Sequence, residues 1–265
     1  MKMTEKSKIL LGPAGTGGSK DEGFISVSKS GLDAVEIEFV YSIWMTKVDA
    51  EKICELNKKL GLKLSIHAPY YINLNSKEPQ KIEASKTRIL KCLEIGTILG
   101  VEYVVFHPGF YQGVSKEKTY EKIREQTKKI MQEAKEKGYT PQLAPETTGK
   151  ESQFGSLDEL IKLKKEIGCH ICIDFSHLKA RSNGKISYEE FAEKIAKAKL
   201  GHLHCHFSGI EYGEKGERRH ILTPDSEIRS LLTAIKKHNL DCTIINESPD
   251  PMGDAIKMKK LLERE

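Results

Sequence analysis

Histidines and carboxylates recur at the ends of short apolar runs: His67 in KLSIHAP, His107 in EYVVFHP, Glu146 in TPQLAPE, Asp174 with His177 in HICIDFSH, His206 in HLHCHFSG and Glu247 in CTIINES. Imidazole nitrogen and carboxylate oxygen are the donors that zinc and similar ions accept, and a catalytic centre keeps a position open for water or substrate. One tetrahedral ion needs about three protein ligands, so seven converging side chains predict two or three ions that share a carboxylate as a bridge. Adjacent ions of this kind suit phosphodiester hydrolysis. They equally suit aldose–ketose isomerisation, in which a nearby acid or base moves the proton.

These residues need elements that bring them together. Each run is β-branched or aromatic and is followed by turn residues and then a longer, charged, helix-like stretch. Two earlier runs, KILLGPAG at 8–15 and AVEIEF at 34–39, bring the candidate strands to eight. Helical spacing of apolar residues marks 47–60, 78–99, 115–138, 156–167, 186–199, 225–239 and 253–264, whereas the first crossover, 19–31, is short and weakly periodic. Gly61 and Gly100 are expected to end helices, and Ser156 and Asp225 to cap helix starts. Eight strands with helical crossovers predict an α/β protein, a (β/α)8 TIM barrel forming a single domain over 1–265. An open doubly wound sheet is the competing arrangement. In a barrel the C-terminal strand ends share one face, where the βα loops build sites.

Strand geometry narrows the choice within His202-Leu-His204-Cys-His206, because residues two apart share a face but stand roughly 6.5–7 Å apart along it. His206, nearest the rim, is the expected ligand. His204, one layer deeper, is expected to hydrogen-bond within the barrel or support a ligand, and His202 to be structural. His170 at a strand start and His238 at a helix end belong to the opposite face and are excluded. Cys169 and Cys172 form a C-x-x-C, but residues three apart on a strand point to opposite faces, so both are expected to be structural thiols. The turn GPAGTGGSK approaches a phosphate-binding P-loop, yet Gly18 stands where that motif requires lysine. A permissive βα turn is expected there.

The formal charge of +5 permits an anionic partner without demanding one. No stretch approaches the roughly 18 apolar residues of a membrane span, and the start carries no secretory signal pattern. A cytoplasmic protein without a membrane partner is expected; nothing in the chain sets an oligomeric state.

Taken in order, SIHAPYYINL, VVFHPGF, PETTGK, CIDFSH and HCHFSG resemble the signature segments of endonuclease IV, the metal-dependent apurinic/apyrimidinic endonucleases within the xylose-isomerase-like barrels. The resemblance implies a zinc centre that hydrolyses the DNA phosphodiester 5′ to an abasic site, with manganese or iron as alternative metals. It places His67, His107 and Glu146 on a first ion, Glu146, Asp174, His206 and Glu247 around a second, and His177 with His220 on a third. It also makes Glu146 and Glu247 the catalytic carboxylates. The family pattern has an aspartate two residues before the last of these histidines, whereas GERRH puts Arg218 there and Glu217 one residue earlier. Either Glu217 reaches the third ion, or the centre holds two ions and Arg218 meets a phosphate.

Tyr70 matches a DNA-contacting tyrosine of the family. Arg181, Arg218 and Arg219, together with Lys179 and Lys215, are expected in loops on the site face, where they could meet DNA phosphates. After the second strand the family usually carries a polar, arginine-bearing loop, and this chain reads FVYSIW, retaining only Trp44. Two other functions stay open: a sugar isomerase or epimerase using Glu146 and Glu247 for proton transfer, and a non-catalytic DNA-binding relative.

Overall fold

The computed structural model describes residues 7–17 and 20–264, so Gly18, which decides the P-loop comparison, lies outside the described residues. Eight parallel strands follow the expected runs: β1 (Ile9–Pro13), β2 (Ala34–Glu38), β3 (Lys63–His67), β4 (Tyr103–Phe106), β5 (Gln142–Pro145), β6 (Cys172–Asp174), β7 (Leu203–Phe207) and β10 (Cys242–Asn246). They form two arcs, in the orders β1-β10-β7-β6 and β2-β3-β4-β5. Two seams close the arcs into a barrel. At one, Gly15 N–H donates to Glu36 O at 2.7 Å and Asp33 N–H to Leu11 O at 2.8 Å; at the other, Thr147 N–H donates to Cys172 O at 3.0 Å. A Cβ on Gly12 would lie 2.1 Å from Ala34 O, so only glycine lets β1 and β2 meet at the first seam.

The crossovers are α1 (Lys20–Lys29), α2 (Lys47–Leu60), α3 (Pro79–Leu99), α4 (Lys116–Glu136), α5 (Leu157–Ile167), α7 (Tyr188–Ala198), α8 (Asp225–Lys237) and α9 (Pro251–Arg264). Gly61 and Gly100 end α2 and α3 in left-handed conformations, with φ 71° and 74°. Ser156 opens α5 through a reciprocal capping box with Glu159. Asp225, expected from sequence to cap α8, does not do so. The extended residue at that start is Pro224, and Asp225 is the first helical residue, where its charge still complements the helix dipole. The main apolar core fills the layer between barrel and helices, with Phe39, Phe106, Phe175 and Phe207 fully buried.

Two elements were not anticipated. A short helix, α6 (Phe175–Arg181), follows β6 directly, with Asp174 as its N-cap accepting from the His177 N–H at 2.7 Å. An antiparallel hairpin, β8 (Gly209–Gly213) with β9 (Gly216–Ile221), stands on the C-terminal rim between β7 and α8. Among the described residues no helix is long and apolar enough to cross a membrane.

Candidate metal centre

The strand-end side chains converge on three overlapping groups whose ligand atoms lie within 4.8 Å of one another. His67, His107 and Glu146 form one, Glu146, Asp174, His206 and Glu247 a second, and Asp174, His177 and His220 a third. Barrel register explains the meeting: β3, β4 and β5 deliver the first group in adjacent order, and β6, β7 and β10 face them across the axis. His220 arrives on the hairpin, where its Nδ1 lies 3.0 Å from Glu247 O and its Nε2 lies 3.3 Å from His177 Nε2.

Glu146 is the hub. Its Oε2 lies 2.7 Å from His107 Nε2 and 3.2 Å from His67 Nε2, while Oε1 lies 3.1 Å from His177 Nδ1 and 3.3 Å from His206 Nδ1. Burial opposes its charge, yet His107 and His206 hold the carboxyl well below the ordinary range. Glu247 is likewise held down at about 2 by His206 against the effect of burial, whereas burial lifts Asp174 to about 6. In return the carboxylates outweigh burial at His67, raised to about 10, and at His177, raised well above its usual value, and Cys172 together with the carboxylates does so at His206. Protons act here as counter-ions to a carboxylate-rich pocket, a role that metal cations fill with the same donors. Asp174 Oδ2 is buried without a hydrogen bond, as expected of an atom shaped to meet a cation. The donor set therefore fits divalent ions.

The hairpin sets Glu217 and Arg218 in different places. Glu217 lies beside His177, Oε2 to Nε2 at 3.6 Å, and its N–H donates to Gly149 O at 3.0 Å. Arg218 points away from the imidazoles towards Glu211, at 3.9 Å, and Arg219 pairs with the same carboxylate at 2.6 Å; both side chains are exposed. Of the two, Glu217 is the one beside the third group, although that group itself comprises Asp174, His177 and His220.

Above the donors lies a cavity of about 560 Å³, lined among others by Tyr70, Phe110, Lys150, Gln153 and Glu247. Tyr70 is exposed at its mouth, edge-on to Tyr41 with ring centres 6.4 Å apart. A second groove, of about 690 Å³, shares Lys150 and Glu217 with it and continues past Lys215 and Arg218. Lys179 pairs with Glu227 at 2.6 Å. Trp44 covers the end of β2, its Nε1 donating to Glu38 O at 3.0 Å.

Arg181 is placed differently from the expected phosphate contact. Its Nη1 donates to Lys150 O at 2.6 Å, Gln153 O at 3.0 Å and Thr148 Oγ1 at 3.0 Å, tying down the loop after β5. Arg181→Ala is expected to cost about 2–3 kcal/mol, because several loop acceptors lose a charged donor together. Urea denaturation checks this; an unchanged midpoint would contradict it.

The histidines set aside from sequence do lie elsewhere. His170 stacks on Tyr103 with ring centres 4.2 Å apart, His202 meets Thr243 Oγ1 at 2.9 Å and His238 meets Glu189 at 2.7 Å. His204 bonds within the barrel, its Nε2 2.8 Å from Glu36 Oε2. Glu36 and Glu38 are the residues that sequence reasoning missed. Glu36 is fully buried under His206, and Glu38 joins Glu36 and Glu247 in a carboxylate group at the rim, where burial lifts it to about 8.

A closed eight-stranded barrel with a histidine–carboxylate cluster at its C-terminal mouth defines the class of the protein as a TIM barrel, and residues 24–264 match one such family, the xylose isomerase-like TIM barrels. The chain belongs to that family. It is 38% identical to an uncharacterized protein of Methanocaldococcus jannaschii, over 97% of this chain and 98% of that one. A probable endonuclease 4 of Carboxydothermus hydrogenoformans is 29% identical, over 76% of this chain and 75% of its own. Among solved structures, endonuclease IV from Thermus thermophilus superposes with a TM-score of 0.73 at 21% identity, covering 97% of this chain and all (100%) of that one. The 3-keto-D-glucoside 4-epimerase of E. coli superposes with a TM-score of 0.71 at 16% identity, over 98% and 100% of the two chains. At such identities the structural likeness speaks for the fold.

Proposed function

We propose that the protein is a zinc-dependent phosphodiesterase that cleaves DNA 5′ to abasic sites. The observation that carries this is the sharing of donors: Glu146 serves the first and second groups, and Asp174 the second and third. Carboxylates shared in this way would let adjacent cations assist in-line displacement at phosphorus. Bound ions would supply Lewis acidity, lowering the pKa of water and neutralising charge on the phosphate and the leaving oxygen.

The protein's own residues supply the rest. His67, His107 and Glu146 would hold one ion, Glu146, Asp174, His206 and Glu247 the second, and His177, His220 and Glu217 the third. Glu146 is fully buried beneath the imidazoles, so it suits a ligand and orienting role better than direct proton exchange with a sugar. Glu247, which lines the cavity together with Glu38 and Glu217, would accept a proton from an entering water. Lys150, Lys215 and Arg218 line the adjoining groove beside Glu214 and Glu217 and would offer cationic contacts to the phosphate backbone, with Arg219 exposed on the same hairpin. Tyr70, with Tyr41, offers aromatic faces at the mouth on which a base can stack.

The direct test is incubation of the metal-reconstituted protein with a duplex bearing one abasic site, beside an undamaged duplex and a chelated sample. Cleavage confined to the lesion and lost on chelation is expected. Turnover of a ketose without DNA cleavage would establish the epimerase alternative instead, and salt-sensitive DNA affinity without cleavage the non-catalytic one.

Glu217→Ala examines the third group separately. It is expected to lower bound metal by about one ion per chain and to slow cleavage on the order of 10–100-fold, the loss typical of weakened support around a metal. Metal analysis showing the same content as the unmodified chain would remove Glu217 from the ligand set.

A further inference from the structure

One layer below this centre the barrel axis holds a second kind of donor set. Cys172 of β6 lies opposite His204 of β7 in the strand register, and with His206 the two bring one sulfur and two imidazoles within 4.8 Å of one another. Glu36 reaches in from β2 across the axis, its Oε2 2.8 Å from His204 Nε2 and its Oε1 2.7 Å from His206 Nε2. All four side chains are buried, none more than 2% exposed.

The contacts between them are not ordinary hydrogen bonds throughout. Glu36 Oε1 and His206 Nε2 nearly touch, yet neither has a hydrogen-bond partner, because the approach lacks the necessary direction. The two atoms meet as an ion pair without hydrogen-bond geometry, so the directional capacity of both is left for another partner. The upper centre shows a similar sign in Asp174 Oδ2, buried and unpartnered among its donors.

We propose that Glu36, Cys172, His204 and His206 form an additional zinc site, closed and wholly buried, beneath the centre at the barrel mouth. One thiolate and two imidazoles within 4.8 Å of one another, with the Glu36 carboxylate against both imidazoles, offer the four kinds of donor that tetrahedral zinc accepts. The thiolate and carboxylate balance the dication, so the interior takes up little net charge. The ion takes the place of the proton that lies between His204 Nε2 and Glu36 Oε2, and the donors open by a fraction of an ångström to admit it. Ser65 Oγ, donating to Glu36 Oε2 at 2.6 Å, holds the carboxylate from outside the set.

His206 has a nitrogen for each level. Nδ1 lies 3.2 Å from Glu247 Oε1 and faces the mouth, while Nε2 faces Glu36. With both levels filled the ring bridges them and its proton, like that of the Cys172 thiol, leaves to solvent. Cys169 takes no part; it lines an outer groove beside Met131 and Leu143. The C-x-x-C is thus split, one sulfur facing the helices and the other the axis. A four-donor site has no open position for substrate, so its work is to tie β2 to β6 and β7 and to fix His206. It does not depend on the phosphodiester chemistry proposed above.

Cobalt(II) loading of the full chain separates the two levels. The centre at the mouth has only nitrogen and oxygen donors, so thiolate-to-cobalt charge-transfer absorption in the near ultraviolet can come only from a cysteine site. A Cys54→Ser background removes the one cysteine that is not fully buried among the described residues. In that background the band is expected, together with a metal content about one ion higher than in the same protein carrying Cys172→Ser, which loses the band. Cobalt-loaded protein without the band, or an unchanged band after Cys172→Ser, overturns the site. Absence of the band in the Cys54→Ser chain overturns the site even if Cys172→Ser fails to fold, Cys172→Ala then serving to assign a band that is present, and neither result bears on whether abasic DNA is cleaved.

Discussion

Glu146→Gln is expected to abolish cleavage of the lesion strand, by about a thousandfold or more, equivalent to ~4 kcal/mol of transition-state stabilisation. The two oxygens of Glu146 serve different imidazoles, Oε2 facing His67 and His107 and Oε1 facing His177 and His206. Glutamine keeps the volume but turns one oxygen into an N–H2 group, which donates hydrogen bonds and cannot ligate a cation. Whichever way the amide turns, one group of ligands loses its carboxylate and the bridge is broken. The backbone does not depend on the charge, since the Glu146 N–H donates to Phe106 O at 3.0 Å whatever the side chain. The folded spectrum is therefore expected to survive while metal content and cleavage fall together. Undiminished cleavage by a Glu146→Gln protein of normal metal content would sink the assignment of Glu146 as the bridge.

The barrel was legible because its strands and helices follow different periods, and the convergence of the candidate donors because they sit where apolar runs stop. His67, His107 and Asp174 are the last or next residues after β3, β4 and β6, positions at which buried polar groups need a reason. Glu36 was not legible, for a reason that lies in the barrel itself. In AVEIEF the alternation of Val35 and Ile37 with Glu36 and Glu38 looks like a strand with one wet face. A barrel strand is covered on both faces, and the face carrying Glu36 turns into the axis, where only His204, His206 and Ser65 make a carboxylate tolerable.

The hairpin escaped for the opposite reason. GIEYGEKGERRHI carries no apolar face, because β8 and β9 bury little beyond Gly209 and Gly216, so hydrophobic periodicity has nothing to register. Its function was readable only through His220, and the path that brings Glu217 rather than Arg218 inward depends on the bulge beside Glu211 and Tyr212, a feature of pairing that spacing alone does not encode.

Stripping the metal is expected to lower the melting temperature by about 10 °C, and the loss is expected to grow as pH rises. Ligand held at about a thousand times its dissociation constant stabilises the folded state by ~4 kcal/mol, and a chain of this size shifts about 2–4 °C per kcal/mol. The pH dependence follows from the ion-free donors. His67 is raised from 6.5 to about 10, so its contribution is complete below pH 6.5 and is lost as pH rises towards 10. Glu38 is raised from 4.5 to about 8, so the preference of the fold for its neutral form is likewise lost as pH rises through 8. Both act in the same direction between the two, weakening the ion-free protein as protons leave. Metal binding runs the other way, because each departing proton frees a donor. Glu247, held down at about 2, has its transition far below this window and does not offset the trend. Calorimetric scans of chelated and zinc-loaded protein at about pH 6 and about pH 8 should show the gap widening at the higher pH. A gap that stays constant or narrows would mean that the carboxylates and imidazoles at the barrel mouth are not the groups that exchange protons for metal.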